Sequence, residues 1–314
     1  MGAPTPRATR LEPRVSASLG LASTPPVRPD LTALICTVES MESMPVKTRR
    51  RPVSSTRPAA GYVGGKRNLA ARLVKLIEAV PHETYAEPFC GMGGVFLRRQ
   101  SAPRCEVIND ASRDVATFFR ILQRHFPQFI DTLKFQITSR AAFDRLAETP
   151  PEILTDLERA ARFLYLQRLA YGGKVSGRNF GVQTSSGARF NINTLVPRLE
   201  EIHERLAGVI IECLPYEEFI GRYDKPGTLF YLDPPYWGSE GYYGKELFGR
   251  EDFARLAALL RLIKGRFILS INDDPGVREV FKGFAMKAVD TTYSVRGGKN
   301  QKTAAELIIT GGRR

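Results

Sequence analysis

Asp233-Pro234-Pro235-Tyr236 directly follows the apolar run Thr228-Leu229-Phe230-Tyr231-Leu232, which reads as a buried strand. The four residues therefore sit at the carboxyl end of a strand, where open α/β sheets take their ligands. Neither proline can donate a backbone hydrogen bond, so the segment leaves the sheet as a stiff turn with outward carbonyls. An amino group whose lone pair is delocalised into a ring or carbonyl is a poor nucleophile carrying two N–H donors. The Asp233 carboxylate and the Pro234 carbonyl can accept both, which favours a pyramidal nitrogen with its lone pair free to attack a methyl donor. Tyr236 can stack on the base that bears it. Adenine N6, cytosine N4, guanine N2 and a glutamine amide all fit, so the tetrapeptide specifies a reaction class. Asp-Pro-Pro also occurs as an ordinary turn, and its place after a buried strand is what favours the chemical reading.

A methyl donor needs a second loop. Glu87-Pro88-Phe89-Cys90-Gly91-Met92-Gly93-Gly94 follows the apolar stretch Thr84 to Pro88 and is expected to open a helix through Val95-Phe96-Leu97. Its glycines let the backbone approach a ligand, and a helix start aims amides at it. Asp110, 17 residues beyond Gly93 and at the end of the next strand, is placed to hold ribose hydroxyls. A nicotinamide dinucleotide site would look much the same, although these glycines do not fit Gly-x-Gly-x-x-Gly. Upstream, Gly61-Tyr62-Val63-Gly64-Gly65-Lys66 is either a plain helix start or a site where Lys66 meets the carboxylate of an amino-acid cofactor and Tyr62 packs on it.

These loops require a sheet. Apolar strands are expected at Thr84 to Pro88, Cys105 to Asn109, Val209 to Cys213, Thr228 to Leu232, Arg266 to Ile271, Met286 to Asp290 and Glu306 to Thr310. Helical periodicity fills Lys66 to Val80, Ser112 to His125 and Glu251 to Ile263. The expected fold is α/β, a doubly wound, mostly parallel sheet formed by residues 61–111 and 206–314. Residues 112–205, between the second and third strands, are too long for a crossover and read as a separate helical lobe. Within the lobe, residues 172–198 hold five glycines, the basic Lys174, Arg178, Arg189 and Arg198, and no acid. The amides of Asn179, Gln183 and Asn191 suit base edges and the cations suit phosphates. A mobile, solvated loop is the plainer alternative. Trp237 to Lys245, rich in glycine and aromatic residues, reads as a lid over an extruded base or as a packed aromatic loop.

The chain carries 46 Lys+Arg against 33 Asp+Glu, a net charge of +13, which favours a polyanionic partner. Residues 1–60 hold nine of the 21 prolines and nine basic against four acidic residues, and read as a disordered tail. Met41 and Met44, just before the basic run Lys47 to Arg51, read as candidate translation starts. Cys36, Cys90, Cys105 and Cys213 are scattered and form no Cys-x-x-Cys pair, so neither a disulfide framework nor a metal site is expected. Cys90 reads as a buried structural thiol. His82, His125 and His203 receive no role. The absence of any span-length apolar run points to a cytoplasmic protein that does not engage membranes.

In series, the Gly61–Lys66, Glu87–Gly94 and Asp233–Tyr236 segments resemble the Dam-like, D12-class DNA adenine N6-methyltransferases, in the motif order of their alpha group. The resemblance runs from about Gly61 to Thr310 and implies a Rossmann-like methyltransferase fold that uses S-adenosylmethionine and acts at specific sites on double-stranded DNA. It implies a catalytic role for Asp233, Pro234, Pro235 and Tyr236. It assigns the cofactor to Tyr62, Lys66, Glu87, Pro88, Phe89, Gly91, Gly93, Asp110 and Asp233. DNA would meet Lys174, Arg178, Asn179, Arg189 and Asn191, with Phe190-Asn191 matching the end of the family's recognition insert. Leu269-Ser270-Ile271-Asn272-Asp273 matches its later strand end. Pro215 in Cys213-Leu214-Pro215-Tyr216 departs from the family, standing where an acid would hold the cofactor's adenine amine. The resemblance admits, without requiring, a cognate restriction enzyme as partner. Cytosine N4 methylation, RNA amine methylation and a catalytically inactive DNA-binding protein are the competing readings.

Overall fold

The computed structural model describes residue 2 and residues 50–182, 187–239, 247–293 and 302–312, so most of the proline-rich tail, Gln183 and residues 240–246 of the expected lid lie outside the described residues. Seven strands form the main sheet: β1 (Thr84–Glu87), β2 (Cys105–Asn109), β3 (Ile210–Glu212), β4 (Thr228–Leu232), β5 (Arg266–Asn272), β6 (Ala285–Tyr293) and β7 (Lys302–Gly312). Their order is β3-β2-β1-β4-β5-β7-β6. All neighbours pair parallel except β7, which runs antiparallel to both β5 and β6. The strand order reverses between β1 and β4, and that switch point is where the carboxyl ends open a crevice.

Alternation along the strands supplies both faces of the sheet. Leu229 and Tyr231 of β4 pack into one core, while Phe230 and Leu232 pack into the other, and all five β4 residues are buried. Helix α1 (Ala70–Ala79) covers the first face through Leu73 and Ile77. That face also receives the helices between β2 and β3: α2 (Arg113–Arg124), α3 (Phe126–Leu133), α4 (Arg140–Glu148), α5 (Asp156–Leu169) and α6 (Ile192–Arg205). The second face is covered by α7 (Tyr216–Tyr223), α8 (Arg250–Leu262) and α9 (Pro275–Val280).

The inserted lobe is not a separate body, because its aromatic residues Phe118, Phe129 and Phe163 are continuous with the core under the sheet. A buried ion cluster fastens it further. Arg205, at the end of α6, makes two 2.8 Å bonds to Glu106 of β2, which also takes a 2.5 Å bond from Arg99. Helix α5 lies at the lobe centre and is buried nearly all round, its Thr155 and Glu158 forming a reciprocal cap at its start.

Two local expectations are corrected. Residues 50–60, grouped with the tail by composition, are structured: Arg51–Pro52 pair with Ser101–Ala102, Thr56 and Ala59 are buried, and Arg50 bonds the Glu78 and Val80 carbonyls. The glycine loop opens only a three-residue 3₁₀ turn, Phe96–Arg98, because the chain is drawn at once into that two-stranded ribbon. Among the described residues no helix is long and apolar enough to cross a membrane.

Candidate active site

The loops after β1 and β4 bound a cavity of about 1020 Å³, at the upper end of the roughly 300–1,000 Å³ usual for small-molecule sites. Of the expected cofactor residues, Tyr62, Lys66, Glu87, Pro88, Phe89, Gly91, Asp110 and Asp233 line it, whereas Gly93 does not. Gly93 has φ +72°, and its face turns toward Leu97 and Phe119. Gly91, at φ +51°, holds the close approach: a Cβ there would lie 3.0 Å from the Tyr62 ring. Substitution would thus be strained in the backbone and blocked by the aromatic ring.

Asn109, ending β2, pins two walls of the cavity at once. Its Nδ2 donates to the Pro88 carbonyl (2.9 Å) and the Leu214 carbonyl (3.0 Å), and its Oδ1 accepts from Leu214 N–H (2.8 Å). Asp110 accepts from Gly91 N–H at 2.8 Å and Ser112 N–H at 2.9 Å, and burial pushes its pKa up to about 6. It fixes the glycine loop as well as facing the cavity. Glu87, bonded by the Tyr85 hydroxyl at 2.6 Å, is pushed by burial to about 8. Phe89, Tyr216 and Phe248 pack together with ring centroids 5.6–5.7 Å apart, forming an apolar aromatic wall. Pro215 lines the cavity and precedes α7, and Glu217 and Asp252 line it too.

The Asp-Pro-Pro-Tyr turn does leave β4 as a stiff segment at the switch point. Asp233 and Pro235 line the cavity, while Pro234 is buried beside it and Tyr236 is half-buried. Lys66 lines the cavity, and its ammonium also meets the turn. Its Nζ, with Lys66 only 3 % exposed, lies 2.8 Å from Asp233 Oδ1 and donates to the Tyr236 hydroxyl at 2.6 Å and to Glu306 Oε2 at 3.3 Å. It also sits 4.2 Å from the centre of the Tyr236 ring. The Tyr236 hydroxyl donates to Glu306. Burial pushes Asp233 up to about 7, opposed by the Lys66 charge and reinforced by Glu306.

Sequence reasoning counted Glu306 only as the start of a strand. The available signal was an acid placed inside the apolar run Ala304-Ala305-Glu306-Leu307-Ile308-Ile309. Asn272 grips the turn from β5, accepting from Trp237 N–H (2.9 Å) and donating to its carbonyl (3.1 Å). Gly276 leaves room for the indole, since a Cβ there would lie 2.2 Å from it. Cys90 is buried, which raises its thiol pKa well above the ordinary value and suits a structural residue.

The expected DNA residues fall into two groups. Arg178 and Arg189 reach into the lobe, donating to Gln167 (3.4 Å) and to the Ala170 carbonyl (3.3 Å), and Asn191 caps α6 by accepting from Asn193 N–H. Lys174 is half-buried and Asn179 is exposed, on a segment whose strand-like bridge joins Ala170 to Phe180.

A mostly parallel sheet whose switch point joins a glycine loop to the Asp-Pro-Pro-Tyr turn is the Rossmann-like fold of a methyltransferase. The chain belongs to the D12 class N6 adenine-specific DNA methyltransferase family, whose model matches residues 62–295, and adenine N6 in DNA is its methyl acceptor. The Type II methyltransferase M.CviBI of Paramecium bursaria Chlorella virus NC1A is 23 % identical over 243 residues, covering 76 % of this chain and 91 % of that protein. The Type II methyltransferase M1.LlaDCHI of Lactococcus lactis subsp. cremoris is 27 % identical over 280 residues, covering 81 % and 95 %. The Retron Ec67 DNA adenine methylase of Escherichia coli is 24 % identical over 270 residues, covering 81 % and 90 %.

Proposed function

We propose that this adenine N6 methyltransferase acts at specific sites in double-stranded DNA, with S-adenosylmethionine in the cavity between the β1 and β4 loops and the target amine at Asp233. The observation that carries this reading is the state of the catalytic carboxylate: Oδ1 is committed to Lys66, and no described residue bonds Oδ2 or the Pro234 carbonyl. On this reading Oδ2 and the adjacent Pro234 carbonyl are the two acceptors for an amine with two N–H donors. The donor set also fits the cofactor. Asp110 suits ribose hydroxyls, the aromatic wall suits an adenine ring, and the Gly91 cradle would be filled by any larger residue. When bound, S-adenosylmethionine supplies a methyl group already activated by its sulfonium. The chain needs no covalent nucleophile. Asp233 and Pro234 orient the amine, the fixed carboxylate stabilises the positive charge that grows on its nitrogen, and Tyr236 offers its ring to the base.

The test is nucleoside analysis of duplex DNA incubated with the protein and labelled S-adenosylmethionine. Label in N6-methyladenine supports the reading; label only in N4-methylcytosine, or in RNA but not DNA, rejects it. A pH dependence follows. Asp233 is faced by Lys66, Glu306, Glu87 and Tyr231, and its pKa is raised to about 7. The carboxylate is therefore protonated below that value, and kcat is expected to climb as pH rises through about 7 and then level off. A flat profile from pH 5.5 to 9 would count against an ionised Asp233.

For DNA contact we place the accessible Lys174 and Asn179 at the interface, beside the exposed Tyr171 and Val182. Lys174→Ala is expected to lower DNA affinity and reduce the log–log salt slope by about 0.9. Asn179→Ala is expected to relax site preference at one base pair by about 1–3 kcal/mol. Arg178→Ala and Arg189→Ala are expected to act chiefly by loosening the lobe, visible as lower melting temperatures. Binding to cognate and scrambled duplexes over a salt series separates these roles; unchanged affinity, slope and preference in both surface variants would remove this segment from the interface.

A further inference from the structure

Glu306 lies in the middle of β7, 1 % exposed, opposite Asn272 of β5 in the strand register. A carboxylate in the interior of a sheet is costly unless its partners justify it, and an apolar side chain of similar size would usually be at least as stable. Two of its partners belong to the active site: Lys66 Nζ at 3.3 Å and the Tyr236 hydroxyl. The register pairing adds a second relation. Asn272 holds the Trp237 backbone while Glu306 holds the Tyr236 side chain, so two facing residues on neighbouring strands grip successive positions of the turn that follows Asp233.

We propose that Glu306 is a positioning residue for methyl transfer, holding Lys66 and Tyr236 so that Asp233 gives one oxygen to Lys66 and presents the other to the target amine. The proposal rests on the reading of Asp233 as the amine acceptor. Lys66 donates to three side chains, and Glu306 draws part of that donation away from Asp233. With Glu306 neutral, the ammonium swings toward Asp233 and competes with the substrate N–H for the carboxylate. The pair of carboxylates around one ammonium also leaves a net negative charge next to the nitrogen that becomes positive during transfer, which lowers the barrier in a site sheltered from water.

The experiment compares wild type, Asp233→Ala and Glu306→Gln by steady-state kinetics on duplex DNA across pH, with S-adenosylmethionine affinity by calorimetry and folding by thermal melting. Glu306→Gln keeps the side-chain volume and can still accept from Tyr236. The expected result is a kcat lower by about tenfold to a hundredfold, KM for DNA and cofactor affinity near wild type, and an acid limb moved to lower pH because Asp233 no longer feels the Glu306 charge. A purely structural role would lower the melting temperature and leave the acid limb of the folded fraction in place, and that result overturns the proposal. Where the Gln variant does not fold, Glu306→Asp retracts the same charge by one methylene, and wild-type kcat in that variant overturns it equally. If wild type methylates, Asp233→Ala does not and Glu306→Gln matches wild type, only the role of Glu306 falls. If Asp233→Ala retains turnover, the reading of the acceptor itself falls and the Glu306 proposal with it.

Discussion

Asp233→Ala is expected to reduce the methylation rate by about 10²-fold or more while leaving fold and cofactor affinity close to wild type. The factor is that of removing one preorganised polar contact from a developing charge. Retention of the fold follows from the arrangement around the carboxylate. Lys66 loses its 2.8 Å partner but keeps Glu306 at 3.3 Å and the Tyr236 hydroxyl at 2.6 Å, so no buried cation is left unpaired. Single-turnover methyl transfer with saturating cofactor is the measurement. Near-normal turnover would return Asp233-Pro234-Pro235-Tyr236 to the status of a structural turn, and a collapsed melting temperature would show that the carboxylate serves the fold.

Lys66→Met is expected to be worse for the protein than loss of Asp233, since it abolishes methylation and also destabilises the fold. It leaves two carboxylates, Asp233 and Glu306, facing each other around an apolar side chain. Breaking a buried pair by removing one partner costs about 3–5 kcal/mol. The cost depends on pH. Lys66 is what opposes the upward push of burial on Asp233, whose pKa already stands near 7 rather than at its ordinary 3.8. In the variant that value rises further. A carboxyl whose folded-state pKa is raised loses stability as pH climbs above its unfolded value; wild type does so too until pH reaches about 7, so the variant's extra deficit opens as pH passes about 7 and grows toward its own higher folded value. Urea melts at pH 5 and pH 8 check this: the variant should fall further behind wild type at pH 8. Equal deficits at both values would mean that the cluster is not coupled as its geometry indicates.

These two expectations differ because the neighbours of a side chain, and not its motif, decide what its removal exposes. The motifs themselves were legible. Asp233 to Tyr236, Glu87 to Gly94 and Asp110 each sit at the end of a strand whose apolar run ended where a proline, glycine or acid began, and β1, β2, β4 and β5 fall within a residue or so of their expected ranges. Local sequence could do this because strand burial and turn chemistry are properties of a few consecutive residues. The parallel arrangement followed from the alternation of strands and helices.

What only the tertiary structure decided depends on residues far apart in the chain. Glu306 is 240 positions from Lys66 and 70 from Tyr236, and the chain marks it by no more than an acid in an apolar strand. A long, flexible cation such as Lys66 can reach a cofactor or a neighbouring carboxylate from the same backbone position; the fold brings Asp233 to 2.8 Å of it, and burial makes a near counter-charge a favourable partner. In the same way, glycine-rich composition around Arg178 and Arg189 suggested display to phosphate, yet both guanidiniums turned inward to the Gln167 amide oxygen and the Ala170 carbonyl. The ribbon that recruits Arg51–Pro52 and ends the glycine loop in a single 3₁₀ turn is likewise a long-range pairing. Composition and periodicity determine which residues are fit for a chemistry and which elements can carry them; only packing determines which oxygen of Asp233 is held by Lys66.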